Sequence, residues 1–244
     1  MRPLFLLLVL PALLGSARAV EFEKASASGK QITVCRVHLK TERLQLFLRD
    51  DSGRPLNTFA NLEKLVASRG QRLASAMNAG MYHPDYAPVG LFVSEGREVT
   101  PLNTADAEGN FFLKPNGVFL LTSSGARVLE SSEVRGVQEK IQLATQSGPL
   151  LVRGNVIHPK FKADSTSRLL RNGVGIPSPD FALFAISEEP LNLYEFAAFF
   201  RDVLKCPDAL YFDGTVSSLH APALKRSDAK INLGPLIGVV ETPP

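Results

Sequence analysis

The stretch 209–222, ALYFDGTVSSLHAP, runs an apolar strand pattern into Asp213 and then turns through Gly214, Thr215, Ser217 and Ser218. A carboxylate at a strand end can accept a proton or attack an electrophile, and small hydroxyl residues behind it leave backbone amides open to a ligand. Asp-Gly is also a frequent hairpin turn, so a plain turn is the competing reading. Three more loops set polar residues at the ends of apolar runs, where binding and catalytic groups concentrate. MNAGMYHPDYAPVGLFV carries Asn78, Gly80, Tyr82, His83 and Asp85 after the apolar RLASAM, and ATQSGPLLV places Gln146, Ser147 and Gly148 between two apolar runs. STSRLLRNGVGI holds Arg168 and Arg171 three apart. Two arginines at that spacing could offer a forked donor set to a phosphate or carboxylate. A simple turn, a structural strand junction and a solvated basic loop stand as the bland readings of the three.

The patterns of several common hydrolases are missing. There is no Gly-x-Ser-x-Gly elbow, no His-Glu-x-x-His, no Walker A loop and no Cys/His zinc spacing, which removes weight from serine-triad and zinc mechanisms. His38 lies in a strand pattern, whereas His83, His158 and His220 lie in or beside the polar loops. A divalent metal on Asp213, His83 and Asp85 is a further reading, ranked last because no pair of them has a strong metal-ligand spacing. No cofactor is required.

The elements that must position these loops are mostly strands. ITVCRVHL and RLQLFLRD alternate with period two, and GLFVSEGREV and NFFLKPNGVFLLTSSGARVLE read as hairpins turning at Glu95-Gly96, Asn116-Gly117 and Ser124-Gly125. Helical periodicity occurs in NTFANLEKLVASRG, with Leu62, Leu65 and Val66 on one face. It recurs in PLNLYEFAAFFRDVL, where Leu193, Phe196, Phe200, Val203 and Leu204 form a face, Asn192 and Glu195 a capping box, and Pro207 an end. The pattern predicts an α+β domain: a large, mostly antiparallel or mixed β-sheet core with a few packed helices.

Residues 1–19, MRPLFLLLVLPALLGSARA, have a basic start, a short apolar core and an Ala-Arg-Ala cleavage pattern, and read as a secretory signal peptide. Residues 20–244 then form a single domain, exported to the periplasm or secreted, with no stable membrane insertion. Of 27 basic residues, Arg2 and Arg18 belong to the leader, leaving 25 against 24 acidic. With no basic stripe and interleaved aromatics, nucleic-acid binding is not indicated. Cys35 and Cys206 are open to a disulfide or to two separate buried thiols.

Taken in order, these loops resemble the phosphodiester glycosidase family over roughly residues 70–240. Asn78-Ala79-Gly80-Met81-Tyr82 is similar to the family's Asn-Gly-Gly-Tyr/Phe element, Gly90-Leu91 to its next strand, Ser147–Leu150 to its Ser-Gly-Pro element, and Arg171–Gly175 to its Arg-x-x-aliphatic-Gly element. Leu210–Ser217 resembles its Leu-Asp-Gly-Gly-Gly-Ser element, with Thr215 and Val216 where the family has glycine, and Ala79 replaces another. The resemblance implies cleavage of a glycosyl phosphodiester at the anomeric carbon. A phosphate monoester is a good leaving group, so a strong acid catalyst matters less and a cationic cradle more. It implies Asp213, Arg171 and Asn78 as catalytic residues, with Asp213 stabilising an oxocarbenium-like state, attacking it or activating water. Arg168 and Arg171 would clamp phosphate with Lys114 and His83 as helpers. Gly80, Tyr82, Gln146, Ser147, Gly148, Gly214, Thr215, Ser217 and Ser218 complete a substrate site for a small glycosyl phosphodiester or glycan. The alternative is a non-catalytic glycan-binding or envelope-interaction domain of the same fold.

Overall fold

The computed structural model describes residues 20–228 and 231–243; the expected leader at 1–19 lies outside them. In chain order come β1 (Glu21–Ala27), β2 (Lys30–His38), β3 (Arg43–Phe47), helix α1 (Phe59–Ser68), β4 (Arg72–Asn78), β5 (Phe92–Ser94) and β6 (Arg97–Thr100). Next are β7 (Gly117–Thr122), β8 (Gly125–Glu130), β9 (Leu143–Ser147), β10 (Leu150–Arg153), β11 (Val156–Ile157), β12 (Asn172–Ser178) and β13 (Phe181–Ser187). The last group is α2 (Leu193–Ala198), β14 (Asp208–Asp213), β15 (Leu219–Ala221), β16 (Arg226–Ser227) and β17 (Leu236–Glu241).

The strands form three sheets, in the orders β1-β2-β13-β12-β14-β10-β11, β16-β15-β4-β17-β3 and β6-β5-β9-β7-β8. The pairings are antiparallel, and with two short helices packed outside them the fold is α+β. The sheets share one core, to which the first gives Val174, Phe184 and Phe212, the second Met77 and Ile237, and the third Phe92 and Phe119. The central strands of the first sheet, β12, β13 and β14, are buried on both faces, which accounts for their continuous apolar sequences. In β13, Phe184 and Ile186 enter the common core while Leu183 and Ala185 meet α2 on the other side. Helix α1 covers the second sheet by laying Phe59, Leu62, Leu65 and Val66 on Leu73, Ala76 and Val240. Thr58 caps it, its Oγ1 accepting from Asn61 N at 3.1 Å.

Two expected details differ. Asn116-Gly117 is not a hairpin turn: Asn116 donates its side-chain amide to Phe111 O at 2.8 Å, and Gly117 already pairs with Glu130 and Ser147 inside β7. The second helix begins as expected, Asn192 Oδ1 accepting from Glu195 N at 2.8 Å while Asn192 N donates to Glu195 Oε2 at 3.0 Å. It then widens into a π turn over Phe199–Val203, where Leu204 N donates to Phe199 O at 3.0 Å. The wider turn rotates Val203 out to 51% exposure and buries Phe199 beside Phe200. Cys35 and Cys206 are separate buried free thiols, and burial pushes each up to about 12, so both are protonated and inert near neutrality.

Candidate active site

The ends of four strands from all three sheets meet at one point: β4 ends at Asn78, β9 at Ser147 and β14 at Asp213, and β12 begins at Asn172. Asn78 and Asn172 tie the first sheet to the second. Asn172 Nδ2 donates to Asn78 Oδ1 at 3.0 Å and to Asn78 O at 2.8 Å, and Asn78 Nδ2 donates back to Asn172 Oδ1 at 3.4 Å. The loop after Asp213 hangs from this pair: Ser218 N donates to Asn78 Oδ1 at 2.9 Å and Ser217 Oγ to Asn172 Oδ1 at 3.0 Å. Ser147 adds the third sheet by donating its hydroxyl to Phe212 O at 3.1 Å. Asn78, Asn172, Ser147 and Ser218 are buried, and an unpaired amide there would carry a desolvation penalty.

Asp213 stands at this junction. A bulge places Phe212 between the Asn172–Asp213 and Gly173–Tyr211 pairs, a device that re-aims a side chain at the end of a strand. Asp213 Oδ1 accepts from Thr215 N at 2.5 Å and Val216 N at 3.0 Å. Its Oδ2 takes no hydrogen bond among the described residues and keeps contact with solvent, although the residue is only 8% exposed. One carboxylate oxygen is therefore fixed and the other is open. Tyr82 and Tyr211 both feel the charge: burial pushes each phenol up, and Asp213 adds to the shift. For Tyr211 the neighbouring Arg171 pulls the other way.

Arg171 is 1% exposed and lies beneath the loop. It donates from Nε to Leu191 O at 2.6 Å, from Nη1 to Tyr211 Oη at 3.0 Å and from Nη2 to Ser167 O at 2.9 Å. No carboxylate pairs with it among the described residues, so a fixed positive charge sits next to the Asp213 loop. Gly214 covers it: a Cβ there would come within 2.1 Å of Tyr211 Oη and 3.3 Å of Arg171 Nη1. Gly80, at φ +137°, lets the chain after β4 pass 3.2 Å from Thr145 Oγ1, measured from an added Cβ.

Other expected residues are placed differently. Arg168 and Arg171 do not form a forked pair, because Arg168 turns outward to Glu195, Nη1 to Oε2 at 2.6 Å. Gln146 spends its amide inside the fold: Oε1 accepts from Leu91 N and Asn103 N, each at 2.9 Å, and Nε2 donates to Asn103 O and Ser131 Oγ. Gly148 is packed against Phe111 O, 2.6 Å from an added Cβ. Lys114 Nζ reaches Asp106 Oδ1 at 2.5 Å and Thr104 O at 3.1 Å. His83 and Asp85 sit on an exposed turn, with Asp85 Oδ1 accepting from Ala87 N at 3.0 Å. No group of three His, Cys, Asp or Glu able to hold a metal occurs among the described residues, so the triplet Asp213, His83 and Asp85 is not assembled. Tyr82 does approach the site, donating to Asn232 O at 2.7 Å and stacking on Tyr86 at 5.8 Å. His220 lies on the far side, with Nδ1 3.0 Å from Ser227 Oγ and Nε2 3.4 Å from Glu63 Oε1 without hydrogen-bond geometry. His158 is buried and stacked on Phe161.

A cleft of about 700 Å³ opens against the loop Gly214–Ser218, with Arg168, Leu169, Glu188 and Arg226 also on its walls. Asp213 is one residue from that wall. Asn172 and Tyr211 are the two site residues that sequence reasoning missed. Asn172-Gly173 reads as a turn dipeptide and Tyr211 as strand filler, and only the amide's match to Asn78 across 94 residues reveals the first.

Residues 71–231 match the model of a family described as phosphodiester glycosidase. An uncharacterized protein of Escherichia coli K12, YigE, is 35% identical over 204 residues, covering 83% of this chain and 80% of its own. The catalytic domain of zebrafish N-acetylglucosamine-1-phosphodiester alpha-N-acetylglucosaminidase, auto-inhibited by its pro-peptide, superposes with a TM-score of 0.65 at 12% identity. That match covers 92% of this chain and 84% of the zebrafish one. A hypothetical protein from Synechocystis shares the fold with a TM-score of 0.55 at 13% identity, covering 91% of this chain and 61% of that one. No helix among the described residues is long and apolar enough to cross a membrane. The matched span takes in Asn78, Ser147, Arg171 and Asp213 together with the strands that hold them, and the chain belongs to the phosphodiester glycosidase family.

Proposed function

We propose that this protein is an exported hydrolase that cleaves a glycosyl phosphodiester at the anomeric carbon, releasing a free sugar and a phosphomonoester. The observation that carries the reading is the Asp213 carboxylate, with Oδ1 locked by two backbone amides and Oδ2 open at the meeting point of three sheets. A carboxylate so fixed stabilises positive charge developing at the anomeric carbon without reorganising during the reaction. The bond from that carbon to the phosphate oxygen breaks, and the phosphomonoester leaves with the electron pair. Water supplies the new hydroxyl, its proton passing to Asp213 or to solvent. Arg171 and Arg168 stabilise the departing charge in different ways, one as a buried field source and the other as a cleft-wall contact.

The two glycine replacements after Asp213 are compatible with this. Val216 turns its side chain into the core beneath α1 and Thr215 points outward, so both still present their amides to the carboxylate. The test is sugar release from a panel of α-linked sugar phosphodiesters by the parent and by Asp213→Asn, each with and without a chelator. Loss of at least about a thousandfold in kcat/KM on substitution, with no effect of chelator, is expected. A parent protein that binds glycans without turnover, and an Asp213→Asn variant that binds equally well, would instead identify a binding domain.

A further inference from the structure

Six large apolar side chains are exposed among the described residues: Val99, Val156, Leu169, Val203, Leu224 and Ile231. Three of them, Leu169, Leu224 and Ile231, at 40%, 39% and 48% exposure, line the cleft that borders Gly214–Ser218. Isolated exposed hydrophobes need no explanation, but three gathered in a concave site beside the candidate catalytic loop mark a place for an apolar ligand group. Two of them are held by backbone hydrogen bonds. Leu169 exchanges hydrogen bonds with Leu191, N to O at 3.1 Å and 2.9 Å, and Leu224 ends a short turn closed by Lys225 N donating to Pro222 O at 2.9 Å. Leu169 Cδ1 lies 3.1 Å from where a Cβ on Gly214 would stand, so the apolar wall begins at the residue after Asp213.

The same cleft contains a cation with donors to spare. Lys24 and Arg226 are engaged with Glu188, and Arg226 also with Asp228. Arg168 gives only Nη1 to Glu195, and its Nε and Nη2 have no hydrogen-bond partner among the described residues. A guanidinium with a free edge next to aliphatic side chains suits a phosphate that carries a hydrocarbon chain. The volume, about 700 Å³, leaves room for more than a phosphate.

We propose that the cleft receives an aliphatic alcohol phosphate, with the phosphate on Arg168 and the hydrocarbon on Leu169, Leu224 and Ile231. Resting on the hydrolase reading, this makes the substrate class glycosyl phosphodiesters of aliphatic alcohols, and the alkyl phosphate the leaving group.

The test uses butyl phosphate and octyl phosphate, which have no glycosidic bond to cleave, in equilibrium binding to the parent, to Leu224→Ser/Ile231→Ser and to Arg168→Gln. The octyl compound is expected to bind the parent about tenfold more tightly, as four half-buried methylenes allow. That preference falls to about twofold or less in the double variant, whose changes are on exposed residues. Arg168→Gln weakens both ligands by a similar factor and preserves the ratio. Equal affinity of the two ligands for the parent, or a preference that survives the double substitution, overturns the proposal, as does octanol binding as tightly as octyl phosphate. Failure of the two readings can be told apart. Chain-length-dependent binding without turnover of any glycosyl phosphodiester removes the hydrolase alone, whereas turnover indifferent to chain length removes the aliphatic subsite alone.

Discussion

Gly214 is held between Asp213 and a layer of side chains that leaves no room for a methyl group. Adding a Cβ there puts it 2.1 Å from Tyr211 Oη, so Gly214→Ala must displace either the phenol or the loop whose amides hold Asp213. The expected result is a loss of about 1–3 kcal/mol in stability and at least a tenfold loss of activity. Tyr211→Phe in the same chain removes the clashing oxygen and should restore part of both, which chemical denaturation and initial rates would measure. Arg171 makes a second prediction at this scale. Arg171→Met leaves Ser167 O and the Tyr211 hydroxyl without their donor and takes from Leu191 O one of its two, Leu169 N remaining, and should lower stability by about 3 kcal/mol. The place of Asp213 at the end of a buried strand was legible in the sequence, because a polar residue closes an unbroken apolar run. The burial of Arg171 was not: an arginine three residues from Arg168 looks the same in sequence whether its donors meet a phosphate or backbone carbonyls. Gln146 was misleading for the same reason, since a loop-end amide can serve a ligand or, as here, fasten two neighbouring loops.

At the scale of elements, the site depends on strand ends being tied across sheets. Asn172→Ala removes both the amide that donates to Asn78 and the oxygen that accepts from Ser217. The expected cost is about 2 kcal/mol in unfolding free energy, with a fall in kcat larger than any change in KM, because the loop that holds Asp213 is loosened while Arg168 and Leu169 elsewhere in the cleft keep their contacts. A similar loss of stability with full kcat would show that the pair only braces the sheets. Strands, both helices and the capped start of the second were readable from alternation, helical spacing and the Asn192–Glu195 pair, since local patterning dictates them. The π turn in the second helix was not, because choosing Phe199 over Val203 for burial depends on the sheet surface below rather than on helical spacing. The Asn116-Gly117 turn failed similarly: tertiary pairing with β9 and a side-chain bond to Phe111 O outweighed a local turn preference.

For the molecule as a whole, two buried histidines predict sensitivity to mild acid. Burial holds both His158 and His220 below the usual histidine value; the Lys114 backbone opposes the shift at His158, and Glu63 opposes it at His220. A lowered folded value means the unfolded chain takes up protons first. Their stabilisation is complete above about pH 6.5 and is lost as pH falls through that value towards the folded ones. The melting temperature should drop between pH 7 and pH 5, and a His158→Gln/His220→Gln variant should show a flatter profile over that window. An unchanged slope in the variant would assign the acid response to other groups. The three-sheet core itself could be foreseen only as a strand-rich α+β domain, since nothing local specifies which strands become neighbours.

In the reaction proposed for Asp213, the bond broken joins the anomeric carbon to oxygen, not oxygen to phosphorus. Hydrolysis of a sugar phosphodiester in water enriched in heavy oxygen, followed by mass analysis of both products, tests it directly. The label is expected on the anomeric hydroxyl of the freed sugar, with none in the phosphomonoester. Label in the phosphomonoester would mean attack at phosphorus and would contradict the role given to Asp213.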